Sequence, residues 1–292
     1  MPVATNAADL VMVSVAGQVA NPAMPGLPAE PYRLTADGTA FLWPTFGGIV
    51  YNISVGDSAF GWTGDCVHPS VSISHANADK NRALNIFSCI GNDALVVTGA
   101  AKGARGVVTG KSGRFSDQVI IHFDTETRHK LAVGDQIVVR TEGVGLRLAD
   151  CPAVACKSLS PRLFDLLPMR LEGGALKVGV CAVVPPHFIG AGLGLTSEGG
   201  SLHIQSTDRA ALADLGLDAL RLGDVVAFQD TDSRYNHGYL RGATSIGIVG
   251  QTDGPRPGYG PGVTIVMTAP AGELGWFDAP GTNIADLLEL SA

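Results

Sequence analysis

Between Leu222 and Val263 the chain reads LGDVVAFQDTDSRYNHGYLRGATSIGIVGQTDGPRPGYGPGV. Asp230, Asp232 and Asp253 supply carboxylates, His237 an imidazole and Tyr235 a phenol. Two carboxylates at i and i+2 share one face if the backbone is extended. Carboxylate and imidazole together can hold a divalent cation or move a proton. Close carboxylates repel, so the cluster implies a cation, a bound proton or full exposure. The competing reading is a set of solvated turns, since Asp, Asn and Gly make turns for local reasons. His237, beside Tyr235 and the Asp pair, is the first choice for a proton shuttle; a catalytic base there should titrate near neutral pH.

A second polar stretch, GWTGDCVHPSVSISHANADKNRALNIFSCIGN, runs from Gly61 to Asn92. His68 stands three residues after Asp65 and just before Pro69, which stiffens the chain, so His68 is a second acid–base candidate. Cys89 falls near a helix C-terminus, where negative potential raises a thiol pKa, and reads as a buried structural residue. GVVTGKS resembles a phosphate loop. Its Gly106 and Gly110 enclose three residues where that motif needs four, and no helix can follow at Gly113, so no nucleotide is expected. Hairpin turns between short strands are expected instead. Lys102, Arg105 and Lys111 remain available to a small anion.

These groups need elements to position them. Apolar runs at Leu10–Ala16, Leu95–Val97, Val119–Phe123, Leu131–Arg140, Ala175–Val184, Leu202–Gln205, Val225–Phe228 and Ala243–Val249 read as strands. Asn77 caps a helix carrying Ala83, Leu84, Phe87 and Ile90, closed by Gly91. Ser160-Pro161 starts a short helix. Thr207 caps another over Asp208–Leu215, and Asn283–Leu290 forms an amphipathic one. An apolar residue followed by a Gly-Asp turn recurs at Val55-Gly56-Asp57, Val133-Gly134-Asp135 and Leu222-Gly223-Asp224. The expected class is α+β, β-rich, in two β-barrel or sheet-type halves with a few short helices. The halves are residues 1–160 and 161–292, and the best boundary is Leu148 to Pro168.

Composition narrows the partners. The 292 residues are 46% hydrophobic and only 16% charged, too apolar for a disordered chain. The low charge suggests surface covered by another subunit, so a homo-oligomer is expected. Net charge is -7 without a basic run, which argues against nucleic acid and anionic membrane. The proline-rich arm from Val19 to Tyr32 is expected to lie on a neighbouring subunit. Cys66, Cys89, Cys151, Cys156 and Cys181 are an odd set without a CxxC pair, so free thiols and a reducing cytoplasm are expected. No signal peptide or membrane-length apolar span is apparent.

The motifs GWTGDCVHPSVSIS, NIFSCIGNDALVVTGAAKGARGVVTGKSG, VGDQIVVRTEGVGLRL, LRLGDVVAFQDTDSRY and GATSIGIVGQTDGPRPGYGPGVT occur in that order. They resemble a bacterial and archaeal family known as domain of unknown function 4438, over roughly Gly47 to Thr268. The resemblance implies an N-terminal and a C-terminal part and no particular activity. It also implies a departure, because relatives tend to carry a His where Tyr259 stands.

The function expected from these residues is hydrolysis of a small polar amide or cyclic amide in an acidic and His-bearing pocket between the halves. Asp230, His237 and His68 would be catalytic. Asn92, Lys102, Tyr235, Asp253, Tyr259 and Gly260 would bind substrate. Asp65, Asp230 and Asp232 would hold a divalent metal ion. Lyase or isomerase chemistry in the same pocket, and binding without turnover, are the alternatives.

Overall fold

A computed structural model describes residues 3–22, 32–113 and 117–291. The arm expected on a neighbouring subunit lies mostly outside these residues. The β-rich α+β expectation holds: a closed antiparallel barrel occupies the first half and two open sheets the second.

The barrel uses β1 (Val13–Val19), β4 (Val71–Ser74), β5 (Asp93–Val96), β6 (Arg105–Ser112), β7 (Gln118–His122) and β8 (Gln136–Thr141). The order β1-β4-β7-β6-β5-β8 closes on itself, which leaves no free edge. Two short strands, β2 (Arg33–Leu34) and β3 (Ala40–Phe41), pair outside it. Val71, Ile73, Val108, Val119, Ile121, Ile137 and Val139 fill the interior. Leu84 of α1 (Ala78–Phe87) joins them. Asn77 caps α1 as expected, accepting from the Lys80 amide at 3.0 Å. The helix stops at Phe87, however. Ile90 lies beyond it, and Gly91 (φ +92°) serves the next turn rather than the helix end. GVVTGKS is not a hairpin either: it lies inside β6, kinked by a bulge between Val108 and Gly110. A second helix, α2 (Thr125–Lys130), precedes β8.

In the second half, β9 (Ala155–Cys156) and α3 (Pro161–Leu166) lead into β10 (Met169–Glu172), β11 (Ala175–Val180) and β12 (Ala182–Val184). Ser160 caps α3 as expected. The single strand expected over Ala175–Val184 is broken at Cys181, because its two parts join different sheets. After β13 (Leu202–His203) comes α4 (Arg209–Asp214), capped by Asp208 rather than Thr207. Then follow β14 (Val225–Asp232), β15 (Gly238–Val249), β16 (Gly262–Ala269), β17 (Leu274–Asp278) and α5 (Ile284–Leu287), a single turn shorter than expected. One sheet runs β12-β14-β15-β16-β13 with β9 on β16; the other runs β10-β11-β17.

The repeated Gly-Asp device has one geometry at all three places. Gly56, Gly134 and Gly223 have φ of +101°, +94° and +93°, a region open to glycine at little cost. The following Asp then turns back to accept the amide of the residue three before it: Ser54 to Asp57 at 2.7 Å, Ala132 to Asp135 at 2.9 Å, Arg221 to Asp224 at 2.7 Å.

The halves share their packing. Val55, Ile90, Leu146 and Leu148 are buried in one cluster with Leu176, Val225, Ile248 and Met267. The Lys111 amide donates to Thr264 Oγ1 at 3.0 Å, tying β6 to β16. Among the described residues no helix is long and apolar enough to cross a membrane.

Candidate functional site

The expected residues do not meet in one pocket. They fall into separate neighbourhoods, and the richest surrounds Asp65. That carboxylate is fully buried and ion-paired with Arg33 and Arg256. Arg256 Nε lies 2.9 and 3.1 Å from its two oxygens. The Arg256 guanidinium covers the Tyr259 ring at 3.7 Å, close enough for a cation–π contact. Tyr259 meets His203 edge-on, with ring centroids 5.2 Å apart. Asp253 completes the group: its carboxylate accepts from Ser206 Oγ and pairs with Arg209, and its carbonyl accepts the Cys66 amide.

His203 is the group best disposed for chemistry. It sits on β13, 7% exposed. Its Nδ1 lies 2.9 Å from the Gly260 carbonyl oxygen. A carbonyl can only accept, so Nδ1 carries the proton and Nε2 keeps its lone pair. Nε2 has no hydrogen-bond partner among the described residues. Burial, reinforced by Arg256, pulls the ring down to about 4 against the hydrogen bond to Gly260, so it is neutral at pH 7. Only glycine permits this approach at 260, since a Cβ there would lie 1.9 Å from the Ile204 carbonyl oxygen. His203 and Tyr259 line a cavity of about 110 Å³ with Gly113, Leu195, Thr196 and Ser201. Gly113 comes from the end of β6, so both halves contribute to its wall. Among the described residues that line it, none carries a charged side chain.

Cys66 has φ +55° and its Sγ lies 3.9 Å from His203 Nδ1. That nitrogen already bears a proton shared with Gly260, so it cannot act as base toward the thiol. Burial and the Asp65 charge push the Cys66 thiol well up. His68 is committed at both ends. Its Nδ1 meets Ser72 Oγ at 2.7 Å and its Nε2 meets the Gln251 amide nitrogen at 2.9 Å. Burial, then the His203 charge, hold it down at about 3. It fits a structural histidine better than a proton shuttle.

His237 occupies a second neighbourhood. Its Nδ1 meets Ser233 Oγ at 3.0 Å, next to Ser245 and Thr268, and its buried Nε2 is unpartnered among the described residues. Burial and then the Lys157 charge hold it at about 4, below the near-neutral value expected of a shuttle. Asp232 is held below the usual carboxylate range by Arg234, whose guanidinium pairs with both oxygens at 2.9 Å. Asp230 and Asp232 do not share one face, although Asp232 is the last residue of its strand. Both lie within β14, and a bulge between Gln229 and Thr231 re-aims Asp230 away from its neighbour. Tyr235 is 81% exposed at the hairpin tip. Lys102 is exposed on a barrel turn. Asn92 is structural: its Oδ1 accepts the Cys89 amide and its nitrogen donates to the Glu142 carbonyl, both at 2.8 Å.

The expected metal set is therefore not assembled. Asp65, Asp230 and Asp232 lie in three settings, two of them already neutralised by arginine. Among the described residues no group of three His, Cys, Asp or Glu side chains is placed to hold an ion. Sequence reasoning named Asp65, Asp253, Tyr259 and Gly260 but missed Arg33, His203 and Arg256. The available signal was a histidine inside the apolar run LHI, a polar residue at a position the pattern buries.

The chain matches the N-terminal domain of DUF4438 over residues 32–165 and the C-terminal domain over residues 166–288. The chain belongs to the DUF4438 family. Both family domains are described only as of unknown function. A solved structure, that of TM1086, is 40% identical, covering 97% of this chain and 98% of that one with a TM-score of 0.91. No curated protein matches the chain.

All five cysteines of this DUF4438 protein are free, and Cys66, Cys89 and Cys151 are buried. Burial raises the Cys156 and Cys181 thiols to about 12 and 11, so thiolate is scarce at neutral pH. Thiol titration of the native protein at pH 7.5 should therefore proceed slowly, and denaturant without reductant should release all five thiols at once. Fewer than five after denaturation would show a disulfide.

Proposed function

We propose that this DUF4438 protein is a small-molecule enzyme hydrolysing a C–N bond of a small neutral amide or cyclic amide at the His203–Tyr259 cavity. The observation carrying this reading is the fixed tautomer of His203, whose Nε2 lone pair has no partner among the described residues and whose ring lines a cavity with no charged side chain among them. A half-buried cavity whose described lining has no ionic side chain favours a neutral ligand, because moving an unpaired charge out of water there is costly. At about 110 Å³ it has room for roughly three or four water volumes, the size of an amide head group and an attacking water. Thr196, Ser201 and Tyr259 supply hydroxyls for the amide carbonyl. Nε2 takes a proton from water as the new C–O bond forms. It returns that proton to the leaving nitrogen as the C–N bond breaks. This gives His203 the part that sequence reasoning gave to His237, His68 and a divalent metal ion. A cytoplasmic homo-oligomer belongs to the same reading, supported by free thiols and by exposed Val11, Met12 and Val13 beside β1.

Binding without turnover is the second reading, and the low His203 value favours it, because a base near 4 gives proton transfer little driving force. One variant separates the two. His203→Asn keeps a donor near Gly260 while deleting the Nε2 acceptor. Ammonia release or ring opening should be followed by NMR over a panel of simple carboxamides and cyclic amides. We expect turnover of at least one member, reduced by roughly a hundredfold, about 2.7 kcal/mol of barrier, in the folded variant. Saturable binding without product supports the second reading. No binding by any member, or unchanged turnover in His203→Asn, rules out this cavity as the site.

A further inference from the structure

A second pocket, of about 350 Å³, lies between the bulge of β14 and β17. Lys177, Gln229, Asp230, Thr244 and Trp276 line it. Asp230 has φ +53° at the bulge, a conformation that residues other than glycine seldom adopt and that tends to persist at ligand sites. Its Oδ1 accepts the Gly242 amide at 2.6 Å, which fixes the carboxylate and leaves Oδ2 without a partner among the described residues. Lys177 stands on β11 opposite Gly275 of β17, and its Nζ lies over that glycine, where a Cβ would come within 2.5 Å of it. Neither Lys177 nor Asp230 is in an ion pair among the described residues, with each other or with any third group. One pocket thus presents a fixed carboxylate and an ammonium that form no ion pair with each other, with the Trp276 indole beside them.

We propose that this pocket binds a small zwitterion, an α-amino acid with an apolar side chain. The ligand ammonium would meet Asp230, its carboxylate Lys177, and its side chain the Trp276 ring. Each ligand charge faces an opposite charge already half removed from water, so charge-assisted hydrogen bonds replace two unmatched groups. A neutral ligand would leave both protein charges unmatched, and a ligand of one sign would leave one. The volume is at the low end for small-molecule sites, roughly 300–1,000 Å³, which suits an amino acid rather than a nucleotide. The site is independent of the His203 cavity and shares no lining residue with it.

Calorimetric titration of the whole protein with L-leucine tests this. L-leucinamide lacks the carboxylate, N-acetyl-L-leucine lacks the ammonium, and glucose is the neutral control. We expect leucine to bind and each blocked analogue to bind at least roughly tenfold more weakly, a difference of about 1.4 kcal/mol. Asp230→Asn keeps tolerance of positive φ and the bond from Gly242, and should weaken leucine by a similar factor. Lys177→Gln should do the same without touching the bulge. His203→Asn should leave leucine binding unchanged, so failure at one site is distinguishable from failure at the other. No heat with leucine, equal binding of leucine and N-acetyl-leucine, or binding of glucose in its place would overturn the proposal.

Discussion

Acidification from pH 7 to pH 4.5 is expected to unfold this protein, with three or more protons taken up in the transition. His68, His203 and His237 are each at least nine-tenths buried and neutral. Burial holds them at about 3, 4 and 4, against 6.5 for an exposed imidazole. The depressed values set the sign. Above pH 6.5 neither the folded nor the unfolded chain protonates these rings, and their full contribution is present. As pH falls below 6.5 the unfolded chain binds protons that the folded chain refuses, so stability is lost. Three such rings give a slope of roughly 4 kcal/mol per pH unit between about pH 6 and 4.5, and His122, also lowered by burial, steepens it in the same direction. A typical domain has only about 5–15 kcal/mol in reserve. Carboxylates such as Asp232, lowered from 3.8, act only further down the scale. Urea denaturation at pH 7.5, 6.0 and 5.0 measures the slope. His237→Asn should reduce it by about one proton, since Ser233 retains a partner at the Nδ1 position. A stability flat from pH 7.5 to 5.0 would mean that the three rings are already charged or relaxed in the native state.

Asp65→Ala is expected to cost about 3–5 kcal/mol, the usual consequence of removing one partner from a buried ion pair. Here the loss removes the carboxylate that Arg33 and Arg256 share, and leaves the Arg256 guanidinium, 21% exposed, without its ion-pair partner among the described residues. The damage should reach the cavity, because Arg256 is held over Tyr259 by this carboxylate. Asp65→Asn keeps the shape and should lose nearly as much, which would locate the effect in charge rather than volume. The apolar triple variant Asp65→Leu with Arg33→Met and Arg256→Met tests the cause. Replacing a buried ionic group as a whole is often neutral, so it should recover most of the loss. Thermal or urea unfolding reads both outcomes. A cost under about 1 kcal/mol for Asp65→Ala would show that the arginines find water or other partners.

The candidate site was partly legible before the fold was known. Asp65, Asp253, Tyr259 and Gly260 were marked by polar types beside glycine-rich turns, and these four do gather in one neighbourhood. Asp230, Asp232 and His237 were marked by the same rule and lie elsewhere. Spacing along the chain says that two carboxylates are near; it does not say which way a bulge turns one of them. Arg33 and Arg256 escaped notice because isolated arginines in loops are ordinary, and only the distance to Asp65 makes them unusual. His203 escaped because its partner, the Gly260 carbonyl, is backbone and 57 residues away.

What the sequence determined by itself is local. Side-chain oxygens satisfying free amides fix the starts of α1 and α3 at Asn77 and Ser160. Glycine's access to positive φ, with an Asp returning to the amide three residues back, fixes the same turn at Asp57, Asp135 and Asp224. Apolar alternation fixes the β-rich class, and ordered motifs fix the DUF4438 family. The tertiary structure decided what depends on pairing between distant segments. Closure of the barrel, the break at Cys181 and the bulge at Asp230 follow from which strands hydrogen-bond, and that is a competition among many apolar runs of similar strength. The ionisation of the histidines follows too. An imidazole titrates near neutrality in water, and only burial between sheets, assembled from both halves of the chain, drives the charge off it.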